Sequence, residues 1–420
     1  MPLAWISRDA WLIILARFLR TFAQASIAVF FAIYLDLLGY SLTEIGLLVT
    51  IGSVGSAFFA TTVIVIGDTF GRRRLLTAFS LLMGLAGLGF ALTDHYLLLA
   101  LVAFFVGGLT ISGGGPRGPV QPLEQAALPD TAPDEKLTDL YAVAGIGERI
   151  ARFVGSLAAA LPAIFVVLFG VSEIGSFKLM FLGYTFLMVA SALMYFLLSP
   201  SVDAPTAQGE RFQNPFKLPS RRTIFTLSGI FAVDSFATRF VFFSLVALWF
   251  KTRYGLDLAE ISFIYAFTTV LNGVSLWIAA KLAGRIGLLN TVVFTHIPAV
   301  LFTFAVPFAP WAWMAVVFWF ARGFFSQMDN PPRQAYTMTI VNRNERAAMA
   351  GISNVSQATV GAATPFLATL LWQVVSASAP FVAAGILKTV YLAGLYFMFR
   401  DVHPPEEQAR MGARRQRTAA

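Results

Sequence analysis

The chain has 420 residues, of which 57% are hydrophobic and only 12% charged, with a mean hydropathy of +0.73. Soluble domains carry about 25% charged residues, so a soluble globular fold is excluded. The absence of cysteine excludes disulfides, thiolate metal sites and iron–sulfur clusters, and the three histidines are too dispersed for a metal centre, so neither metal nor cofactor is expected.

A hydrocarbon core roughly 30 Å thick is crossed by about 20 apolar residues in a helix. Runs of that length recur along the chain, at roughly 11–35, 43–66, 74–93, 96–121, 140–169, 177–198, 223–250, 258–282, 288–307, 310–332, 347–372 and 379–399. They lack the period-two alternation of barrel strands, so the expected fold class is an all-α membrane protein with twelve transmembrane helices. The first run is long enough to be a span, and no cleavable signal peptide is evident.

The net charge of +8 is explained by topology rather than by nucleic acid. With the N-terminus inside, the inner loops collect Arg72, Arg73, Arg74, Lys136, Arg211, Lys217, Arg221, Arg222, Lys281, Arg285, Arg343 and Arg346, and the tail adds Arg400, Arg410, Arg414, Arg415 and Arg417. The outer loops hold Lys178, Lys251 and Arg253. Both termini are therefore expected in the cytoplasm, with the protein in the plasma (inner) membrane.

Residues 200–221 form a polar linker with six spans on each side, so the expected organisation is a bundle over 1–199, the linker, a second bundle over 222–400 and a basic tail over 401–420. The halves look alike. A shift of 216 residues places Gly39 on Gly255, Glu44 on Glu260, Gly71 on Gly287 and Pro116-Arg117 on Pro332-Arg333. Two six-span halves run in the same direction through the bilayer, a transporter architecture.

Between spans two and three the chain reads Gly67-Asp68-Thr69-Phe70-Gly71-Arg72-Arg73-Arg74. This segment resembles the G-x-L-A-D-R-x-G-R-K/R loop of the major facilitator superfamily. Asp68, Gly71, Arg72 and Arg73 match it, whereas Ile64 and Thr69 depart from it. The second-half counterpart keeps Arg285 and Gly287 but has Gly284 in place of the aspartate. The resemblance implies two pseudo-symmetric six-helix bundles, and it implies that this loop latches one access state. Span five, with Gly145, Gly147 and Gly155, lacks the Gly-Pro pair typical of the family's drug–proton antiporters.

Ionisable residues at membrane depth are costly and mark a site or a partner. The resemblance implies that spans one, four, seven and ten line the central cavity, so their charges come first. Arg17 and Arg20 share a face of span one, and Asp234 lies about 16 Å into span seven. Asp234 is expected to face Arg17 and Arg20 as a coupling or gating carboxylate, the alternative being a static ion pair. Arg117 and Arg333, beside helix breakers in spans four and ten, are expected either to contact substrate or to form an inner gate with Glu124 and Asp329. Glu148, Arg149, Arg152, Arg239 and Arg322 complete the buried set, while Lys388 and His296 are expected to be isolated packing or interfacial residues.

No G-x-x-x-x-G-K-[ST] phosphate loop and no nucleophile–base constellation occur, so the reading is a non-enzymatic secondary transporter driven by an ion or solute gradient. The excess of buried arginines favours an anionic small molecule as substrate, with a proton or other ion as coupling partner, the lipid bilayer as environment and a monomeric state. The many phenylalanines keep efflux of drug-like or amphipathic compounds open, and a transporter-like receptor or scaffold is the reading of another class.

Overall fold

The structure, a computed structural model, describes residues 5–106, 120–203, 218–342, 345–400 and 402, with the side chains of 64–69, 105, 106, 134, 201 and 347 outside it. Every regular element among the described residues is a helix. In α1 (Arg8–Leu37) the Ser7 hydroxyl accepts from the Ala10 amide at 3.1 Å, and most of the helix is buried, including Arg17 and Arg20 among its apolar residues. A capping box of Ser41 and Glu44 starts α2 (Leu42–Phe70). Gly71, at φ +83°, then turns the chain directly into α3 (Arg72–Leu92). Gly287 makes the corresponding turn at φ +91°, so this pair of repeat landmarks is a pair of reversals that only glycine adopts without strain.

The first half continues through α4 (Tyr96–Val106), α5 (Val120–Ala127), α6 (Leu137–Ala158), α7 (Leu161–Phe169) and α8 (Glu173–Phe196). Span five is bent by 42° between α6 and α7, where Pro162 occupies the first turn of the new helix. The second half comprises α9 (Arg221–Arg239), α10 (Phe243–Tyr254), α11 (Leu258–Ile286), α12 (Leu288–Ala305), α13 (Ala312–Ser326), α14 (Asn330–Thr339), α15 (Arg346–Ala362), α16 (Thr364–Val374) and α17 (Ala379–Phe399).

Among the described residues, eight spans and the bent α6–α7 pair are long and apolar enough to cross a bilayer. Of the other three expected spans, the fourth runs from α4 into residues outside the description. The tenth and eleventh are divided into α13–α14 and α15–α16, each restarting at prolines that fit a first helical turn. Large apolar side chains such as Leu97, Leu101, Val167, Phe186, Leu301 and Phe397 are exposed, as expected where lipid is the solvent. Span seven is interrupted between α9 and α10, at Phe240–Phe242, with no glycine or proline at the break.

The chain forms two compact units. The first contains residues 1–209, 241–269 and 362–376. Its aromatic core packs Phe30, Phe31 and Tyr34 of α1 against Phe90, Phe177 and Phe181, the Phe90 and Phe181 rings stacking at 5.2 Å. Within the same unit α10 packs along α1 and α16 along α2. The Gln373 side-chain oxygen accepts from the amide and hydroxyl of Thr43, both at 3.0 Å, and the Phe366 amide donates to the Thr50 hydroxyl at 3.1 Å. The absent side chain of Gly46 admits Thr369. Segments from both sequence halves thus share one unit.

The second unit contains residues 210–240, 270–361 and 377–420. Ile224, Leu227 and Phe231 of α9, Val292 and Val293 of α12, Tyr336 of α14 and Leu392 and Leu395 of α17 form its core. Each unit carries a buried cluster of charges.

Candidate functional site

In the first unit the cluster is centred on Glu124 of α5, which is fully buried. Arg17 and Arg20, three residues apart on α1, present one face and converge on the same carboxylate oxygen, with Nε of Arg17 at 3.1 Å and Nη2 of Arg20 at 2.6 Å. The Tyr195 hydroxyl of α8 donates to the other oxygen. A second carboxylate, Glu148 of α6, lies 3.9 Å from Arg17 and accepts from Arg152, one turn away, at 2.9 Å. Four helices are tied together by charge-assisted hydrogen bonds in a low-dielectric interior, where each bond is strong and each orphaned partner expensive.

In the second unit Asp234 of α9 is held by two cations. Nη1 of Arg333, in the first turn of α14, lies 2.8 Å from one oxygen, and Nζ of Lys388, from α17, lies 2.9 Å from the other. Arg333 also approaches Asp329 at 3.5 Å and donates to the Asn330 side chain at 3.1 Å. Lys388 lies 3.2 Å from Nε2 of His296 on α12. An ammonium has only donors, so Nε2 accepts and the imidazole proton sits on Nδ1, which faces Asp329 at 3.8 Å. The clusters exchange charge across the repeat. Helix α1 supplies arginines to the α5 carboxylate, whereas α9 supplies the carboxylate to the α14 arginine.

The loop at Gly71 is fastened inside the first unit. Arg72 donates from Nη1 to the Ala126 carbonyl at 2.9 Å and to Asp130 at 2.6 Å. The Arg73 amide donates to Asp203 at 2.8 Å, and its guanidinium to the Leu198 carbonyl at 3.0 Å. The α2–α3 turn is thus clamped to the end of α5 and to the chain leaving α8.

Residues 13–317 and 299–419 match the family described as Major Facilitator Superfamily. The chain belongs to the major facilitator superfamily. It is a membrane transporter rather than an enzyme, with the all-α fold of that superfamily. In sequence it is similar to the uncharacterized membrane protein YJR124C of Saccharomyces cerevisiae, 21% identical over 389 residues, covering 84% of this chain and 85% of that one. In fold it is similar to the nucleoside transporter NupG (TM-score 0.73, 13% identity, covering 94% of this chain and 99% of that one). It is likewise similar to a D-xylose–proton symporter (TM-score 0.73, 12% identity, covering 94% and 97%). A bacterial homolog of the human lysosomal transporter Spinster, in an inward-facing and unoccupied conformation, matches at a TM-score of 0.71 and 14% identity, covering 94% and 97%.

In this transporter the expected partners of Asp234 are corrected. Arg17 and Arg20 bond to Glu124, while Asp234 bonds to Arg333 and Lys388. Lys388 and His296 are not isolated, contrary to expectation, because α17 brings Lys388 to the α9 carboxylate and α12 brings His296 to Lys388. Tyr195 is a further member that sequence reasoning missed. A lysine at membrane depth was the available signal for Lys388; no signal marked the tyrosine.

The remaining predicted residues are scattered. Arg322 donates to the Thr303 hydroxyl at 3.2 Å and lies 4.5 Å from the Trp319 ring. Arg149 and Arg285 are exposed, and Gly287 makes the α11–α12 turn. Arg117 and the side chain of Asp68 lie outside the described residues. Arg239, at the end of α9, is 9% exposed.

Proposed function

We propose that the protein is a secondary active transporter of a small anionic solute, working by alternating access and driven by an ion or solute gradient, a proton being the first candidate. The observation that carries the anion is the charge balance of the described spans. The carboxylates Glu124, Glu148, Asp234 and Asp329 each lie within ion-pair distance of Arg17, Arg20, Arg152 or Arg333. Asp234 answers both Arg333 and Lys388 with a single negative charge, and Arg239 is a further buried cation. Such an interior attracts and retains negative charge. The departure of span five from the antiporter pattern weighs against drug efflux. We place the protein in the plasma (inner) membrane as a monomer, with both termini cytoplasmic, as the basic loops indicate.

With that orientation, the α1–α10 and α2–α16 packing closes the external side. Transport then requires Thr43 and Gln373 to separate. The protein has no cysteine, so Thr43→Cys with Gln373→Cys introduces a unique pair. Purified protein in proteoliposomes is assayed for uptake of a panel of labelled organic anions, neutral sugars and cationic dyes under an imposed pH gradient. Anion uptake is expected, abolished by oxidising the cysteine pair and restored by reductant. Uptake of dyes alone would overturn the anion assignment, and full transport by the crosslinked protein would overturn alternating access at this seal.

A further inference from the structure

Arg239 is a buried cation that belongs to neither charge cluster. It is the last residue of the 19-residue α9, within a span of 34 residues, and therefore sits near mid-depth. A guanidinium there is costly unless something receives its charge. Among the described residues no hydrogen bond or ion pair engages it. The C-terminal end of α9 supports a cation in its last turn, which allows the side chain to persist without a carboxylate.

Its surroundings are constructed for a guanidinium and leave its donors available. A Cβ built on Gly361, near the end of α15, would lie 2.5 Å from Nε and 2.9 Å from Cζ of Arg239. The guanidinium therefore rests against bare backbone, and any side chain at 361 would displace it. The Ser235 hydroxyl donates to the Gln357 carbonyl at 3.1 Å, tying α9 to α15 beside this contact. Spans seven and eleven are both interrupted at this level, after Arg239 and after Ala362. Interrupted backbone at membrane depth is tolerated where it is buried in protein or lines a site. Phe236 lies one turn before Arg239, and its ring meets that of Phe240 edge-on at 5.2 Å.

We propose that Arg239, seated on Gly361 at the breaks of spans seven and eleven, binds the oxyanion of the transported solute, a small organic anion whose apolar body lies against Phe236 and Phe240. The five donors of a guanidinium grip a carboxylate or a phosphate with paired bonds, and the aromatic rings accept an apolar body but no second charge. This rests on the transport reading and names the substrate class and the residue that selects it.

The test is binding to the purified full chain in detergent, measured by thermal shift and calorimetry with benzoate, phenyl phosphate and neutral benzamide. The three share a phenyl ring and differ in charge, and the first two separate a carboxylate from a phosphate ligand. The wild type is expected to bind benzoate or phenyl phosphate and to discriminate against benzamide. Arg239→Gln is expected to weaken the anion about tenfold or more, the loss of a charge-assisted contact, without weakening benzamide. Gly361→Ala retains the arginine but displaces its mobile end, so it should weaken the anion as well, and Arg239→Gln combined with Gly361→Ala should bind no worse than Arg239→Gln. If the wild type binds none of the three, binds benzamide as well as the anions, or if Arg239→Gln binds the anion unchanged, the proposal is overturned. Transport that persists in such a case leaves the transporter reading intact, whereas anion binding without any uptake in proteoliposomes removes transport and retains the site.

Discussion

Lys388 and Asp234 test whether the second cluster behaves as one charge-balanced unit. The pair is 2.9 Å apart and buried. At an effective dielectric near 20 its attraction is about 6 kcal/mol, which offsets the desolvation of both groups. Lys388→Met removes the ammonium while Asp234 keeps Arg333 at 2.8 Å, so the loss should fall near the lower end of the range for breaking a buried pair, about 3 kcal/mol. Asp234→Asn leaves Lys388 with only His296 and Arg333 with Asp329 at 3.5 Å. Two cations then lose their nearest counter-charge, and the loss should approach about 5 kcal/mol. The double variant removes one charge of each sign and leaves Arg333 with Asp329 and Asn330. It should therefore be more stable than Asp234→Asn alone. Thermal unfolding of the four proteins in one detergent, followed by tryptophan fluorescence, gives the cycle. Additive losses would refute the coupling and reduce the cluster to independent buried polar groups.

Glu124→Gln, which leaves Arg17 and Arg20 facing a neutral amide, is expected to cost about 3–5 kcal/mol in the same unfolding assay. Gly71→Ala should lose about 1–3 kcal/mol, because φ is +83° and the new Cβ would meet Asp203 at 3.1 Å. By contrast Gly229→Ala, in the helical interior of α9 with nothing within 4 Å, should be neutral or gain up to about 1 kcal/mol. At Glu345, just before α15, burial works against ionisation. The Ser220 amide and the Asn342 side chain outweigh it and hold the carboxyl below the ordinary carboxylate range. A depressed folded value contributes stability that is present above the unfolded pKa and lost as pH falls through the folded one. The stability gap between wild type and Glu345→Gln should therefore shrink between about pH 6 and pH 3, and a gap that widens on acidification would reverse the sign.

Much of this protein is legible along the chain. Apolar runs of membrane length, the glycines at 39, 71, 255 and 287 and the basic loop at Arg72–Arg74 are local properties, and among the described residues they correspond to whole or broken helices, to turns and to a clamp. Hydropathy and backbone permissiveness act within a few residues, so one sequence displays them. That Arg17 and Arg20 share a face follows from helical periodicity alone. Which carboxylate they meet does not. Asp234 finds Arg333 99 residues away and Lys388 154 residues away, and Arg20 finds Glu124 at a separation of 104. These pairings depend on how each helix is rotated about its axis and on which neighbours pack against it, quantities set by the whole core. The break in span seven belongs to the same class, with no proline or glycine at 239–243 to announce it. Composition and periodicity place buried charge in this membrane protein. Tertiary packing decides that most of it is neutralised in two clusters and that Arg239 is left aside.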